Sequence, residues 1–172
     1  MKKSLFAVSL TILMLVSIFC SGCSSNQPRK HYEKSGGFSY DPPDGWQIVE
    51  FPGLKYRISH GPAENGFAPN INVVDEIFDG TLEAYVQANQ DNMEKIFKNI
   101  SILTSEKFLT EDGSQAIRLI TKNEQQGTIL RQTFYFFGSS KRKYVATCSA
   151  LADGGESLDS VFAKSMRAFR IH

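Results

Sequence analysis

The sequence has almost no charge imbalance, few histidines and few cysteines. Nineteen Lys and Arg stand against eighteen Asp and Glu in 172 residues, a formal net charge of +1. No bulk field therefore draws the chain to nucleic acid, and no nucleic-acid partner is expected. The three histidines, His31, His60 and His172, are far apart and lack metal-ligand spacing. The cysteines are Cys20, Cys23 and Cys148; two lie near the N-terminus, so they offer no disulfide framework. Cys148 sits in the apolar run Tyr144-Val145-Ala146-Thr147-Cys148, where a small buried side chain is expected. A nucleophilic Cys148 or Ser would need a positioned base. His60 is the only candidate, and no Gly-x-Ser-x-Gly elbow is present. These absences argue against a catalytic residue set, and the chain reads as a non-enzyme without a cofactor.

The composition supports one ordinary domain. Hydrophobic residues make up 41% and aromatics 12%, including 13 Phe, enough for a core without disulfides. The first residues have a different character. Lys2 and Lys3 precede an apolar stretch from Leu5 to Phe19 of about 15 residues, short of the roughly 20 that span a bilayer. It ends at Cys20-Ser21-Gly22-Cys23, which resembles a bacterial lipobox, with Cys20 where Leu is usual. Residues 1–22 are therefore expected to be a signal peptide and Cys23 the lipidated residue, its lipid being the only group covalently added. Residues 23–36, rich in Ser, Asn, Pro, Lys and Gly, read as a flexible tether. A single domain is expected over 37–172. The expected location is extracytoplasmic, anchored to a bacterial membrane. Ser24 rather than Asp after the cysteine favours the outer membrane where the organism has one, and otherwise the outer face of the cell membrane.

Within the domain the hydrophobic period changes twice. Strands are expected at Gly37–Tyr40, Trp46–Val49, Leu54–His60 and Asn70–Phe78. Leu82, Tyr85, Val86, Asn89, Met93, Ile96 and Phe97 then fall at helical spacing, which predicts a helix from Leu82 to about Lys98 capped by Gly80 or Thr81. Strands return at Ile102–Leu109, Gln115–Lys122, Ile129–Phe137 and Lys143–Leu151, with Asp112-Gly113 as a hairpin turn and Asn123–Gly127 as a looser one. Leu158, Val161, Phe162, Met166 and Phe169 mark a closing helix. Ile129–Phe137 is apolar on both faces, so it must be covered on both, and Phe134 and Phe136 are expected to be buried. The fold class that follows is α/β of the α+β type: a central, largely antiparallel sheet between helical layers.

Three clusters could carry a site. Asp75, Glu76 and Asp79 supply hard oxygen ligands suited to Ca²⁺, although their spacing is not that of an EF-hand loop. Negative charge beside a helix N-terminus is favourable without any metal. Lys141, Arg142 and Lys143 form a basic run in a predicted loop that could touch anionic lipid. Trp46 could line a groove, but core packing is the simpler role.

Several short motifs together resemble the PsbP-like domain family. They are Gly37-Phe38-Ser39-Tyr40 with Pro43, Gly45 and Trp46; Glu50-Phe51-Pro52-Gly53; Asn72-Val73-Val74; and the ending Phe162 to Ile171, with Ser165-Met166-Arg167-Ala168-Phe169-Arg170-Ile171. The order of elements fits from about Gly36 to His172. The resemblance implies an α/β/α sandwich on an antiparallel sheet. The family spans an extrinsic photosystem subunit, a Ran-binding protein and bacterial envelope lipoproteins, so the fold implies no chemistry. The functional expectation is a membrane-anchored, non-catalytic module that binds an envelope protein partner of unknown identity or assists complex assembly. The alternative is a carrier of a small apolar ligand or lipid.

Overall fold

The structure, a computed structural model, describes residues 30–97, 99–138 and 140–172. The expected signal peptide and Cys23 lie outside the described residues. The main sheet has seven strands, in the order β3 (Gln47–Val49), β4 (Ile58–His60), β5 (Asn70–Ile77), β9 (Arg142–Leu151), β8 (Thr128–Phe137), β7 (Gln115–Gln125) and β6 (Ser101–Leu109). Every neighbouring pair is antiparallel. Helix α1 (Leu82–Ile96) connects β5 to the far edge strand β6 and lies over one face. Helix α2 (Asp159–Arg167) lies over the other face. The expected central antiparallel sheet between helical layers is the observed architecture.

The strand pattern explains the two layers. In β8, Phe134 and Phe136 point to the α1 face, and Tyr135 and Phe137 point to the α2 face; all four are buried. On the α1 side they meet Tyr85, Val86, Met93 and Phe97 together with Leu119 and Val145. Thr81 caps α1 by accepting from the Ala84 amide at 3.1 Å, and Glu83 sits in the first turn, where the helix dipole favours it. On the α2 side Phe162, Met166 and Phe169 meet Tyr135, Phe137 and Tyr144, and the Phe137 and Phe169 rings stack with centroids 4.1 Å apart. Arg131 on β8 fixes α2 by donating from Nε and Nη2 to the two carboxylate oxygens of Asp159, at 3.0 and 2.6 Å.

Three expectations need correction. The tether does not run to Gly36. Residues His31–Glu33 form strand β1, which pairs with β2 (Phe38–Tyr40), and β2 pairs with β10 (Arg170–Ile171). The folded region therefore begins near His31, because burying the His31 and Phe38 side chains ties the segment down. This small three-stranded sheet shares the α2 layer, so that cover is not helix alone. The second correction is at Leu54–His60: only Ile58–His60 is strand, because Pro52-Gly53 turns the chain and the Leu54 amide bonds back to the Phe51 carbonyl at 3.1 Å. The third is the turn after β7, which is tighter than expected. Gln126 and Gly127 both have positive φ, 51° and 81°, the geometry of a two-residue type I′ hairpin. The strand thereby extends to Gln125.

Phe134→Ala or Phe136→Ala is expected to cost about 3–5 kcal/mol, since each removes a large buried ring and leaves a cavity between sheet and α1. Urea unfolding followed by fluorescence measures this, and tolerance at both positions would show that the α1 face is not packed.

Candidate functional site

Strand alternation decides the fate of the acidic cluster. Successive residues of β5 point to opposite faces, so Asp75 lies on the α2 face and Glu76 on the α1 face. The Asp75 carboxylate accepts from Lys55 Nζ at 2.6 Å, Tyr56 Oη at 2.7 Å and Arg142 Nε at 2.7 Å. Burial alone would raise the Asp75 carboxyl, but the bonds from Lys55, Tyr56 and Arg142 outweigh it and hold the pKa below its usual value. Glu76 accepts from Tyr85 Oη at 2.5 Å, and the exposed Asp79 lies 3.8 Å from Lys141 Nζ. Asp75, Glu76 and Asp79 are not brought together. Their partners are cations and two phenols, and among the described residues no group of three or more His, Cys, Asp or Glu is placed to hold a metal. The bonds to Asp75 join the segment before β4 to β5 and β9.

The basic run is dispersed by the same alternation. Lys141 remains exposed beside Asp79. Arg142 turns to Asp75 and lies over the Tyr144 ring, 5.4 Å from its centroid. Lys143 is buried, and its ammonium donates to the Ser140 carbonyl. Arg142 and Lys143 thus turn to intramolecular partners on opposite faces of the sheet, and β9 begins at Arg142, one residue earlier than expected. Cys148 and His60 are also separated. Cys148 pairs with Ile71 on the α2 face, whereas His60 pairs with Asn70 on the α1 face. Burial pushes the Cys148 thiol well above its usual pKa, so it is protonated at neutral pH and unsuited to attack. Trp46 packs edge-on against Phe162, a core role.

Three features were not legible in the sequence. The first is a polar rank running across six strands on the α1 face: Gln47, His60, Asn70, Ser149, Gln132 and Thr121 stand opposite one another in turn. Gln132 organises it. Its Oε1 accepts from Asn123 and Gln125, both at 2.9 Å, and its Nε2 donates to Ser149 at 2.9 Å. The bonded cluster around Gln132 fixes strand register, since a slip would leave its amides without partners. Period-two polar residues in β7 and β9 were the available signal, but their alignment depends on register.

The second is His31, buried in β1 with its ring stacked 4.7 Å from that of Tyr40 and its Nε2 3.8 Å from Glu33. Burial, with Arg57 adding to it, outweighs the pull of Glu33 and lowers the His31 pKa to about 4. The third is the edge strand β6. It is nine residues long, and its outer side has no partner strand among the described residues. It exposes Ile102, Leu103 and Leu109. The opposite edge, β3, has three residues. A chemical site would need polar groups converging on an open position. What this surface offers is backbone hydrogen-bonding groups with apolar side chains beside them.

Comparison with known structures supports the fold. The chain is similar to the solution structure of cyanobacterial PsbP (CyanoP) from Synechocystis sp. PCC 6803, with TM-score 0.63 and 13% identity over 91% of this chain and 99% of that one. It is similar to LpqN, involved in cell envelope biogenesis of Mycobacterium tuberculosis, with TM-score 0.61 and 16% identity over 86% and 92%. A protein of unknown function from Pseudomonas aeruginosa, PA94, gives TM-score 0.58 and 15% identity over 81% and 93%. No protein-family model matches the chain, and no curated protein sequence matches it. At these identities the likeness establishes a PsbP-like fold and nothing about activity.

The buried charges set two expectations. His31 is neutral in the fold and has a depressed pKa. Its contribution is therefore complete above pH 6.5 and is lost as pH falls from there toward 4, at about 1.4 kcal/mol per pH unit. His31→Phe should remove that part of the slope in a stability-against-pH series; an unchanged slope would place the effect elsewhere. Asp75→Ala should destabilise by about 1–3 kcal/mol, because it removes the buried acceptor shared by Lys55, Tyr56 and Arg142 while the two cations regain water. Millimolar Ca²⁺ should leave the thermal midpoint of the native chain unchanged; a rise would restore a metal role for this cluster.

Proposed function

We propose that this chain is a membrane-tethered, non-catalytic module of the bacterial envelope that binds a protein partner or assists assembly of a complex through the edge strand β6. The observation that carries the reading is the unpaired, apolar, nine-residue edge of β6 at one side of an otherwise well-covered sheet. An extended peptide can add to such an edge: main-chain hydrogen bonds supply affinity, and the side chains on alternate positions supply specificity. Glu106 and Lys107 and the irregularity between Ile102 and Thr104 discourage indiscriminate pairing, so the edge favours a partner of matching register. The lipobox at Cys23 supports the tether, and the likeness to LpqN, described as involved in cell envelope biogenesis, agrees with an envelope setting. The groups that could have been catalytic are engaged elsewhere: Asp75 in ion pairs, Cys148 in the core, His60 on the opposite face from it. The rival role, carriage of an apolar ligand between sheet and α1, lacks a supporting observation, since Tyr85, Met93, Phe97, Phe134 and Phe136 pack together in that interval.

Two measurements test the proposal. Cys23→Ala should abolish metabolic lipid labelling, and normal labelling would sink the tether. A photo-crosslinking residue at Leu103 should give a discrete adduct in native membranes that is lost in Thr104→Pro, with circular dichroism and the thermal midpoint of that variant verifying that it is folded. The same residue at the exposed Gln87 on α1 should give none; equal adducts at both positions would refute the edge.

A further inference from the structure

The segment where the chain enters the fold is held on one side and pinned at its far end. Among the described residues β1 pairs with β2 alone, over three residues. The chain then turns at Gly36 and Gly37, and that turn is fastened separately. The Tyr144 hydroxyl donates to the Gly36 carbonyl at 3.0 Å, and the His172 amide donates to the Gly37 carbonyl at 2.8 Å. β2 has its own attachments. It pairs with β10, Phe38 stacks on Phe169 with centroids 5.6 Å apart, and Tyr40 Oη lies 2.9 Å from Ser59 Oγ. A loosening of β1 can therefore stop at Gly36.

The docking of β1 carries a built-in weakness. His31 is buried and stacked on Tyr40, yet neither of its ring nitrogens has a hydrogen-bond partner, so docking forfeits the bonds the ring makes to water. On the same strand the Glu33 carboxylate lies 3.8 Å from His31 Nε2. From the segment before β4, Arg57 donates to that carboxylate at 3.3 Å and to the Tyr32 carbonyl at 2.9 Å. β2 presents the Phe38 and Tyr40 rings to His31, and Lys30 and Lys34 flank the strand in solvent. A proton on His31 thus puts a cation among aromatic rings, beside a carboxylate that Arg57 already engages. Burial, with Arg57 adding to it, lowers the His31 pKa to about 4. The docked strand therefore holds the neutral ring. Its hold is complete above pH 6.5 and is lost as pH falls from there toward 4.

We propose that β1 is an acid-released clasp: protonation of His31 frees the chain up to Ser35 from β2 while the main sheet and its covers stay folded. The first docked residue then moves from His31 to Gly36, and a fully extended chain of that length adds up to about 18 Å to the reach of the tether. The gain in reach rests on the lipid anchor proposed above; the release of β1 does not. The pH dependence of stability expected for His31 is then a local event at the chain's entry, and the core takes no part in it.

Hydrogen exchange read by mass spectrometry on the full chain, at pH 7.5 and pH 5 and corrected for the intrinsic effect of pH on exchange, tests the clasp. Protection of the segment Tyr32–Tyr40 should fall about tenfold to thirtyfold at the lower pH, while β8 and β9 keep theirs. Trp46 fluorescence, which reports the packing against Phe162, should be the same at both. His31→Phe keeps a ring against Tyr40 and should hold the segment protected at both pH values. Equal protection of the wild-type segment at the two pH values would overturn the clasp. So would loss of protection in β8 and β9 together with it, or the same fall in a folded His31→Phe. The readout needs no lipid, so its failure leaves the anchor standing, and failure of the anchor removes only the gain in reach.

Discussion

Strands β8 and β9 are apolar on both faces, and the rest of the fold answers that fact. A strand with Phe134 and Phe136 on one side and Tyr135 and Phe137 on the other loses its hydrophobic gain if either side meets water. Both must be covered, which needs two layers from a short chain. Helix α1 supplies one layer by crossing from β5 to β6. The other needs two pieces, because the nine residues of α2 cannot span the width of the sheet. The β1–β2–β10 sheet completes it and places Phe38 among Tyr56, Tyr144 and Phe169. Both the His31–Glu33 segment and the Arg170–Ile171 strand are thus structural, since they complete the layer that closes the core.

How much of this could be read in advance follows from where the information lies. The main sheet, α1 and α2 were legible because hydrophobic period is local, and the two-faced character of Ile129–Phe137 implied a sandwich. β1 was not legible. It is three residues long, it lies in a polar stretch, and the sheet it joins is completed by β10, more than a hundred residues away. The type I′ turn at Gln126-Gly127 was missed because Gln rarely occupies a position of positive φ.

The candidate sites failed for a single geometric reason. Neighbours in sequence are neighbours in space on a helix surface or in a loop, but on a strand they are divided by the sheet. Asp75 and Glu76 therefore went to opposite faces, as did Arg142 and Lys143. Each then found a partner suited to its own side: a cationic pair and a phenol for Asp75, the Tyr85 hydroxyl for Glu76. The polar rank through Gln132 is the converse. Its members lie tens of residues apart in the sequence and are assembled only by register, so no spacing rule could find them.

Covering both faces has a consequence for function. Once each face carries a layer, what remains for recognition is the rim and the outside of the covers. The rim is unequal. β3 is too short to template a partner, whereas β6 is long and carries exposed Ile102, Leu103 and Leu109. A monomer that exposed such an edge freely in solution would risk indiscriminate strand pairing, and Glu106, Lys107 and the local irregularity limit that risk only in part. A tether changes the balance. On the proposed reading it confines the domain to one surface, which lowers the freedom lost on meeting a partner in the same membrane. On that reading the apolar edge and the tether act together: the tether would limit what the edge can meet, and the edge would supply the contact.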